Sequence, residues 1–140
     1  MPSVVDTSVL INVEKRKGSQ ALRGLLASEP DLAISTITIS ELLVGAYSPL
    51  ADEPSRARTL RFTRLVMRAM RKLPIDSRVA KAHARLWVDL GKRVVEVEPN
   101  DLIIAATALS RGRSVITDEK GTFELIASVS DLDVKRFSAS

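Results

Sequence analysis

Short apolar strands alternate with helical stretches along nearly all of this 140-residue chain, and that alternation leaves few folds open. Ser3–Asp6, Leu32–Ser35, Leu73-Pro74-Ile75, Ser114–Thr117 and Asp133–Phe137 read as strands. Between them, helical periods are expected from Thr7 to about Glu14, over Ser19–Ser28, from about Thr38 to Tyr47 and from about Ser55 to Arg71. Further helices are expected from Asp76 to about Leu90, from Pro99 to Arg111 with Asn100 able to cap it, and briefly before Ala127. Lys15-Arg16-Lys17-Gly18 reads as a loop. Strands separated by helices pair in parallel through crossovers, which makes the class α/β. Sheets of this kind hold ligands beyond the carboxyl ends of their strands, where the strand order switches.

Acidic residues stand at or near those ends. Asp6 follows Ser3-Val4-Val5, and Asp118 and Glu119 follow Ser114-Val115-Ile116-Thr117. Glu41 lies in a largely apolar helix, beside Leu42 and Leu43, and Asp101 opens the run Leu102-Ile103-Ile104-Ala105-Ala106. Each has an ordinary reading. Asp6 can cap a helix, Asp101 can complement a helix dipole, Asp118 can sit in a turn, and Glu41 can face solvent. Gathered in one pocket, however, they repel and keep their charge only around divalent cations. Hard, oxygen-preferring ions such as Mg²⁺ or Mn²⁺ suit that donor set. Asp6, Asp101 and Asp118 are the candidate metal ligands, and Glu41 and Glu119 join them as candidate catalytic acids. Thr7, Ser8 and Thr117 can support them through hydroxyls. The amide groups at a helix start are expected to keep Asp101 ionised.

Charge is distributed unevenly. Residues 54–93 carry 12 Lys/Arg against 2 Asp/Glu, whereas the segments on either side are each net negative. Within that block, advancing 100° per residue from Arg61 places Arg58, Arg64, Arg68, Arg71 and Lys72 within about −80° to +60°. Phe62, Val66, Ala69, Met70 and Leu73 fall at about +80° to +180°. A run of arginines can be a solvated face. A basic track beside an acidic pocket also suits a polyanion held by its backbone while a metal works on one phosphate. Arg58, Arg61, Arg64 and Arg68 are the candidate contacts to that polyanion, with Lys15 to Lys17 in support. No aromatic residues interleave with them, so base stacking along this helix is not expected.

Composition closes other routes. The chain has no cysteine, which excludes disulfides, thiolate metal sites and cysteine nucleophiles, and fits a reducing cytoplasm. Its N-terminus lacks a basic segment before an apolar run, and no uncharged stretch nears the ~20 residues of a membrane span. There is no Gly-x-Gly-x-x-Gly and no Walker lysine motif. His83 and Trp87, four residues apart, are read as packing or surface residues, with Trp87 in the core or at a dimer contact.

The strings Val5-Asp6-Thr7-Ser8-Val9-Leu10-Ile11, Ser35-Thr36-Ile37-Thr38-Ile39-Ser40-Glu41-Leu42, Asn100-Asp101-Leu102-Ile103-Ile104-Ala105-Ala106-Thr107-Ala108 and Val115-Ile116-Thr117-Asp118 together resemble PIN-domain proteins, in particular the VapC toxins of VapBC toxin–antitoxin pairs. The resemblance covers the whole chain in order. It implies one three-layer α/β/α domain over residues 1–140, with a central parallel sheet of four to five strands. It also implies a Mg²⁺- or Mn²⁺-dependent endoribonuclease that cuts RNA such as tRNA or rRNA and inhibits translation, a cognate VapB-type antitoxin, and a homodimer. Asp6, Glu41 and Asp101 take the family's first three acidic positions. The fourth is open. Family members carry Asp or Asn two residues after the Thr that ends the strand, where this chain has Glu119, with Asp118 adjacent. Asp118 is favoured by side-chain length.

Two other classes stay in view. One is a PIN-like module that binds RNA or a partner without cutting, which the unusual fourth position favours. The other is a phosphoacceptor using Asp6 as nucleophile, weakened because Asp6-Thr7-Ser8 lacks a second Asp two positions on.

Overall fold

In the computed structural model, which describes residues 2–119 and 121–137, five parallel strands form one sheet in the order β3-β2-β1-β4-β5. The strands are β1 (Ser3–Val5), β2 (Leu32–Ser35), β3 (Arg71–Leu73), β4 (Ser114–Thr117) and β5 (Val134–Arg136). The helices are α1 (Thr7–Lys17), α2 (Ser19–Ser28), α3 (Thr36–Tyr47), α4 (Glu53–Ala69), α5 (Ser77–Leu90), α6 (Pro99–Ser110) and α7 (Gly121–Ser128), with a 3-10 turn at Gly91–Glu96. The three inner strands are buried at every residue, as expected of a parallel sheet covered on both faces. The outer strands β3 and β5 carry Arg71, Lys72, Lys135 and Arg136, charges that discourage edge-to-edge pairing.

Alternation along the strands divides the core in two. Val4, Ala33 and Val115 pack with Val79, Leu86, Leu102, Ile104 and Phe123 on the side of α5, α6 and α7. Val5, Ile34 and Ile116 pack with Val9, Leu10, Leu25, Leu42, Phe62 and Val66 on the side of α1 to α4. The result is the expected helix–sheet–helix sandwich. Ile34 is fully buried in the second cluster. Ile34→Val should therefore cost about 1 kcal/mol of stability, read as a lower urea midpoint with an unchanged slope.

Several boundaries differ from the sequence reading for identifiable reasons. Helix α1 runs on through the expected loop to Lys17 and stops where Gly18 takes φ 51°. Helix α4 starts two residues early because the Asp52 side chain accepts from the Ser55 amide at 2.8 Å and Pro54 sits in the first turn. Strand β3 lies two residues before Leu73–Ile75. Its register pairs Lys72 with Ile34 and Leu73 with Ser35, and Pro74 has no N–H to extend the ladder. Arg71 and Lys72 thus belong to a strand rather than to the basic face of α4. At α6, Glu98 and not Asn100 occupies the cap position, because Pro99 takes the first helical turn. On α4, Phe62, Val66 and Met70 are buried as expected, but Ala69 is exposed. Among the described residues, no helix is long and apolar enough to cross a membrane.

Candidate active site

The strand order reverses at β1, with β2 on one side and β4 on the other, so a crevice opens beyond the carboxyl ends of β1 and β4. The register places Val5 opposite Ile116. Asp6 and Thr117 therefore meet at the floor of that crevice. The Asp6 amide donates to the Ile116 carbonyl at 2.9 Å, and the Thr117 hydroxyl donates to Asp6 Oδ2 at 2.9 Å. Asp6 occupies the cap position of α1, yet its carboxylate makes no cap bond to the helix. It is only 3% exposed. Burial raises its pKa, opposed by hydrogen bonds from Ser8 and Thr117, while Asp118 pushes it further up.

Helix α1 leaves this floor carrying Thr7 and Ser8, and both serve as bridges. Ser8 Oγ lies 2.6 Å from Asp6 Oδ2 and 2.7 Å from Asp118 Oδ1. One hydroxyl proton cannot serve two carboxylates at once. Ser8 therefore links the two carboxylates while its one proton satisfies only one of them at a time. Asn12, one turn along from Ser8, donates its amide to Asp118 Oδ2. Thr7 Oγ1 lies 2.6 Å from Glu41 Oε1 and 2.9 Å from Thr38 Oγ1. The Thr7 hydroxyl is the donor toward both, so its single proton is shared between the Glu41 carboxylate and the Thr38 hydroxyl. Glu41, the sixth residue of α3, is thereby half-buried against α1 rather than turned to solvent.

Asp101 completes the group from the first turn of α6. Its pKa is raised to about 7, first by burial and then by the charges of Asp6, Glu41, Glu98 and Glu119. This corrects the expectation that the helix start keeps Asp101 ionised. Near neutral pH the helix dipole is outweighed by a buried site crowded with like charge.

The donor set fits a hard divalent ion. It consists of carboxylate and hydroxyl oxygens, and Asp101 is raised to about 7 first by burial and then by charges that a cation would offset. Among the described residues, no three acids stand close enough to chelate one ion directly. That spacing is compatible with Mg²⁺, which keeps several waters and takes one or two carboxylates plus substrate phosphate. The residues that would hold it are Asp6, Asp101 and Asp118, with Glu41 reaching through Thr7's side of the crevice. Glu119 is exposed beside them, its amide hydrogen-bonded to Thr117 Oγ1 at 3.0 Å. Lys120, the next residue of the loop where the fourth acidic position falls, lies outside the described residues.

The basic residues of α4 are not among those that line the crevice. Arg58, Arg61, Arg64 and Arg68 are all exposed on α4, and Arg58 donates to Ser55 Oγ at 3.4 Å. Lys15 and Arg16 are exposed near the end of α1, and the side chain of Lys17 is outside the described set. Sequence reasoning missed Asn12. The available signal was its spacing of four from Ser8, which puts the two on one helix face. Trp87 is 53% exposed and tilted against His83 with ring centroids 6.1 Å apart, so it is a surface residue and not core.

Comparison with known proteins agrees with this fold. The PIN domain family model matches residues 3–128. The chain is 39% identical to ribonuclease VapC5 of Mycobacterium tuberculosis over 118 residues, covering 83% of this chain and 82% of that protein. It is 30% identical to ribonuclease VapC1 of Rickettsia felis over 134 residues, 96% of this chain and 97% of that one. Among solved structures, VapBC-5 of Mycobacterium tuberculosis, a member of the VapBC family of toxin–antitoxin systems, superposes with a TM-score of 0.77 at 32% identity. The match covers 97% of this chain and 98% of that chain.

Proposed function

From the membership of this chain in the PIN-domain family, on its VapC branch, we propose that it is a metal-dependent endoribonuclease, the toxin of a toxin–antitoxin pair. Its substrate is RNA, in the class of tRNA or rRNA, and its effect is to stop translation. One observation carries the reading. Carboxylates from four separate segments, Asp6, Glu41, Asp101 and Asp118, gather at the switch point, where Asp118 raises the pKa of Asp6, and Asp6 and Glu41 raise that of Asp101.

Each residue then has a task. Asp6, fixed by Thr117 and Ser8, is the central acid. Asp118 stands across the Ser8 bridge from it and serves as the fourth acid, with Glu119 at the outer rim. Glu41, oriented by Thr7, accepts a proton or holds a water at the mouth. Asp101 faces them from α6. When bound, Mg²⁺ or Mn²⁺ supplies charge neutralisation at the scissile phosphate and a water acidic enough to attack it. Attack by water rather than by the ribose 2′-hydroxyl leaves a 3′-hydroxyl on one product and a 5′-phosphate on the other. Purified protein should cut RNA with Mg²⁺ or Mn²⁺ and stop in EDTA. Cleavage at full rate in EDTA, or 2′,3′-cyclic phosphate ends, overturns the proposal.

The exposed arginines of α4 are the phosphate track. Converting Arg61 and Arg64 to Gln should weaken RNA binding without regard to sequence and lower the salt slope of log K by roughly 0.7 per residue. Fluorescence anisotropy across a salt series reads both effects. Partner surfaces are also present. Val44, Tyr47 and Leu50 on and after α3, and Trp87, Val88 and Val95 on and after α5, are exposed apolar side chains. Patches of that kind mark protein contacts, and a VapB-type antitoxin and a second copy of the chain are the proposed occupants.

A second reading, a module that binds RNA without cutting it, draws on the absence of a direct three-acid chelate among the described residues. Titration with Mn²⁺ separates the two, because a non-cutting module should bind the ion weakly and leave RNA intact at every concentration.

A further inference from the structure

A second cleft adjoins the acidic crevice on its β5 side. It encloses about 290 Å³ and is lined by Asn12, Arg16, Asp118, Glu119, Arg136 and Phe137. Its walls come from elements far apart in sequence. Asn12 and Arg16 continue the face of α1 begun by Ser8, at successive spacings of four residues. Arg136 ends β5, where its register partner is Thr117, the residue that bonds Asp6. Phe137 follows, half-buried against the core cluster that includes Ile116 and Val9, and its amide donates to the Thr117 carbonyl at 2.9 Å. The cleft is thus fastened to the acidic floor through Thr117 and through the Asp118–Asn12 bond.

Its chemistry differs from that of the arginine track on α4. Two arginines and two acids line it, so the cleft is balanced in formal charge and offers little net attraction to an anion. It has donors and acceptors together, with an aromatic and aliphatic floor. That combination suits a neutral, flat, polar ring. Single-stranded RNA is read in this way, with an unstacked base lying on an aromatic or guanidinium plane and its edges hydrogen-bonded. Guanine matches best. It offers O6 and N7 as paired acceptors to a guanidinium, the commonest specific contact of arginine with a base, and N1–H and N2–H as paired donors to a carboxylate. Asp118 is already engaged by Ser8 and Asn12, which leaves Glu119, exposed at the rim, as the acceptor.

We infer that this cleft is a nucleobase subsite, selective for guanine, that fixes which phosphodiester of a single-stranded RNA segment enters the acidic crevice. The inference rests on the nuclease reading for its place beside the scissile bond, but base binding can be measured without cleavage. In EDTA, side-chain amide and guanidinium NMR resonances of Asn12, Arg16 and Arg136 should shift on titration with guanosine 5′-monophosphate. Binding should be roughly tenfold or more tighter than for the adenosine, cytidine and uridine monophosphates, and inorganic phosphate should not reproduce the shifts. Arg136→Gln should abolish the preference, and so should Glu119→Gln, which keeps the shape but replaces one of the paired acceptor oxygens with a donor. With metal present, products from a randomised single-stranded RNA should show guanine enriched at one position next to the cut. Arg136→Gln should flatten that enrichment about tenfold while Phe137→Leu, which keeps the apolar floor, weakens it less. Equal shifts with all four nucleotides or with phosphate alone overturn the inference, as does a wild-type cleavage pattern without guanine bias. If the protein binds guanosine monophosphate in the cleft but cuts no RNA, the nuclease reading falls and base binding stands. Cutting without base selection has the opposite consequence.

Discussion

Asp6→Asn should lower the single-turnover rate of RNA cleavage by roughly a thousandfold while leaving RNA affinity within a few-fold of the parent. The size follows from what the residue holds. An ion at a phosphoryl oxygen is worth several kcal/mol of transition-state stabilisation, and each 1.4 kcal/mol is about a tenfold change in rate. Asn fills the same space, and its carbonyl oxygen can still accept from Ser8 and Thr117, so the floor of the crevice keeps its shape. What it loses is the charge. Removing a buried carboxylate whose pKa is already raised by burial should, if anything, raise the melting temperature of the metal-free protein. Slower cleavage with undiminished stability would separate a chemical role from a structural one. Ser8→Ala is the matched control. It deletes a bridge between Asp6 and Asp118 rather than a donor to the ion, and outer-shell partners of that kind cost about 10- to 100-fold. A rate for Asp6→Asn within tenfold of the parent would remove Asp6 from the reaction.

The parts of this site that could be read from the chain are those fixed by local pattern. Val4-Val5-Asp6 and Ile116-Thr117-Asp118 announce a strand ending in an acid, and parallel pairing then brings the two ends together. Glu41 could be placed because its neighbours are apolar, and the structure seats it on Thr7. The parts that could not be read depend on distances between segments. Apart from Glu98, three residues back, nothing near Asp101 in sequence says that Asp6, Glu41 and Glu119 will crowd it, so its local setting at a helix start pointed to an ionised group when the assembled site says otherwise. Arg136 and Phe137 look like the tail of an ordinary edge strand until the register sets them beside Thr117. The misassigned cap of α6 had a local answer. Pro99 has no amide proton to donate, which suits the first helical position and moves the cap to Glu98.

The crowding at Asp101 makes a prediction about stability that does not require cleavage. In the folded, metal-free protein its carboxyl titrates at about 7, against an ordinary value of 3.8. Between those values the native state keeps a proton that the unfolded chain has released. The contribution is therefore fully present below about pH 4 and is lost as the pH rises through 7. Asp6, also raised, adds to the loss in the same direction. Asp52, Asp76 and Glu96 have lowered values and act below this window, where falling pH removes their contribution. In EDTA the melting temperature should thus fall from pH 5 to pH 8. Discounting for the partial exposure of Asp101, the loss is about 2 kcal/mol, or roughly 6 °C for a chain of this size. Mn²⁺ competes with the proton for the same oxygens, so it should stabilise the protein more at pH 8 than at pH 5. Asp101→Asn should flatten most of the pH dependence and remove most of the Mn²⁺ effect. If the metal-free protein is equally stable across the range, or Asp101→Asn keeps the parent's response to Mn²⁺, then the acids of this crevice do not share a cation. The chemistry assigned to them would have to be carried elsewhere.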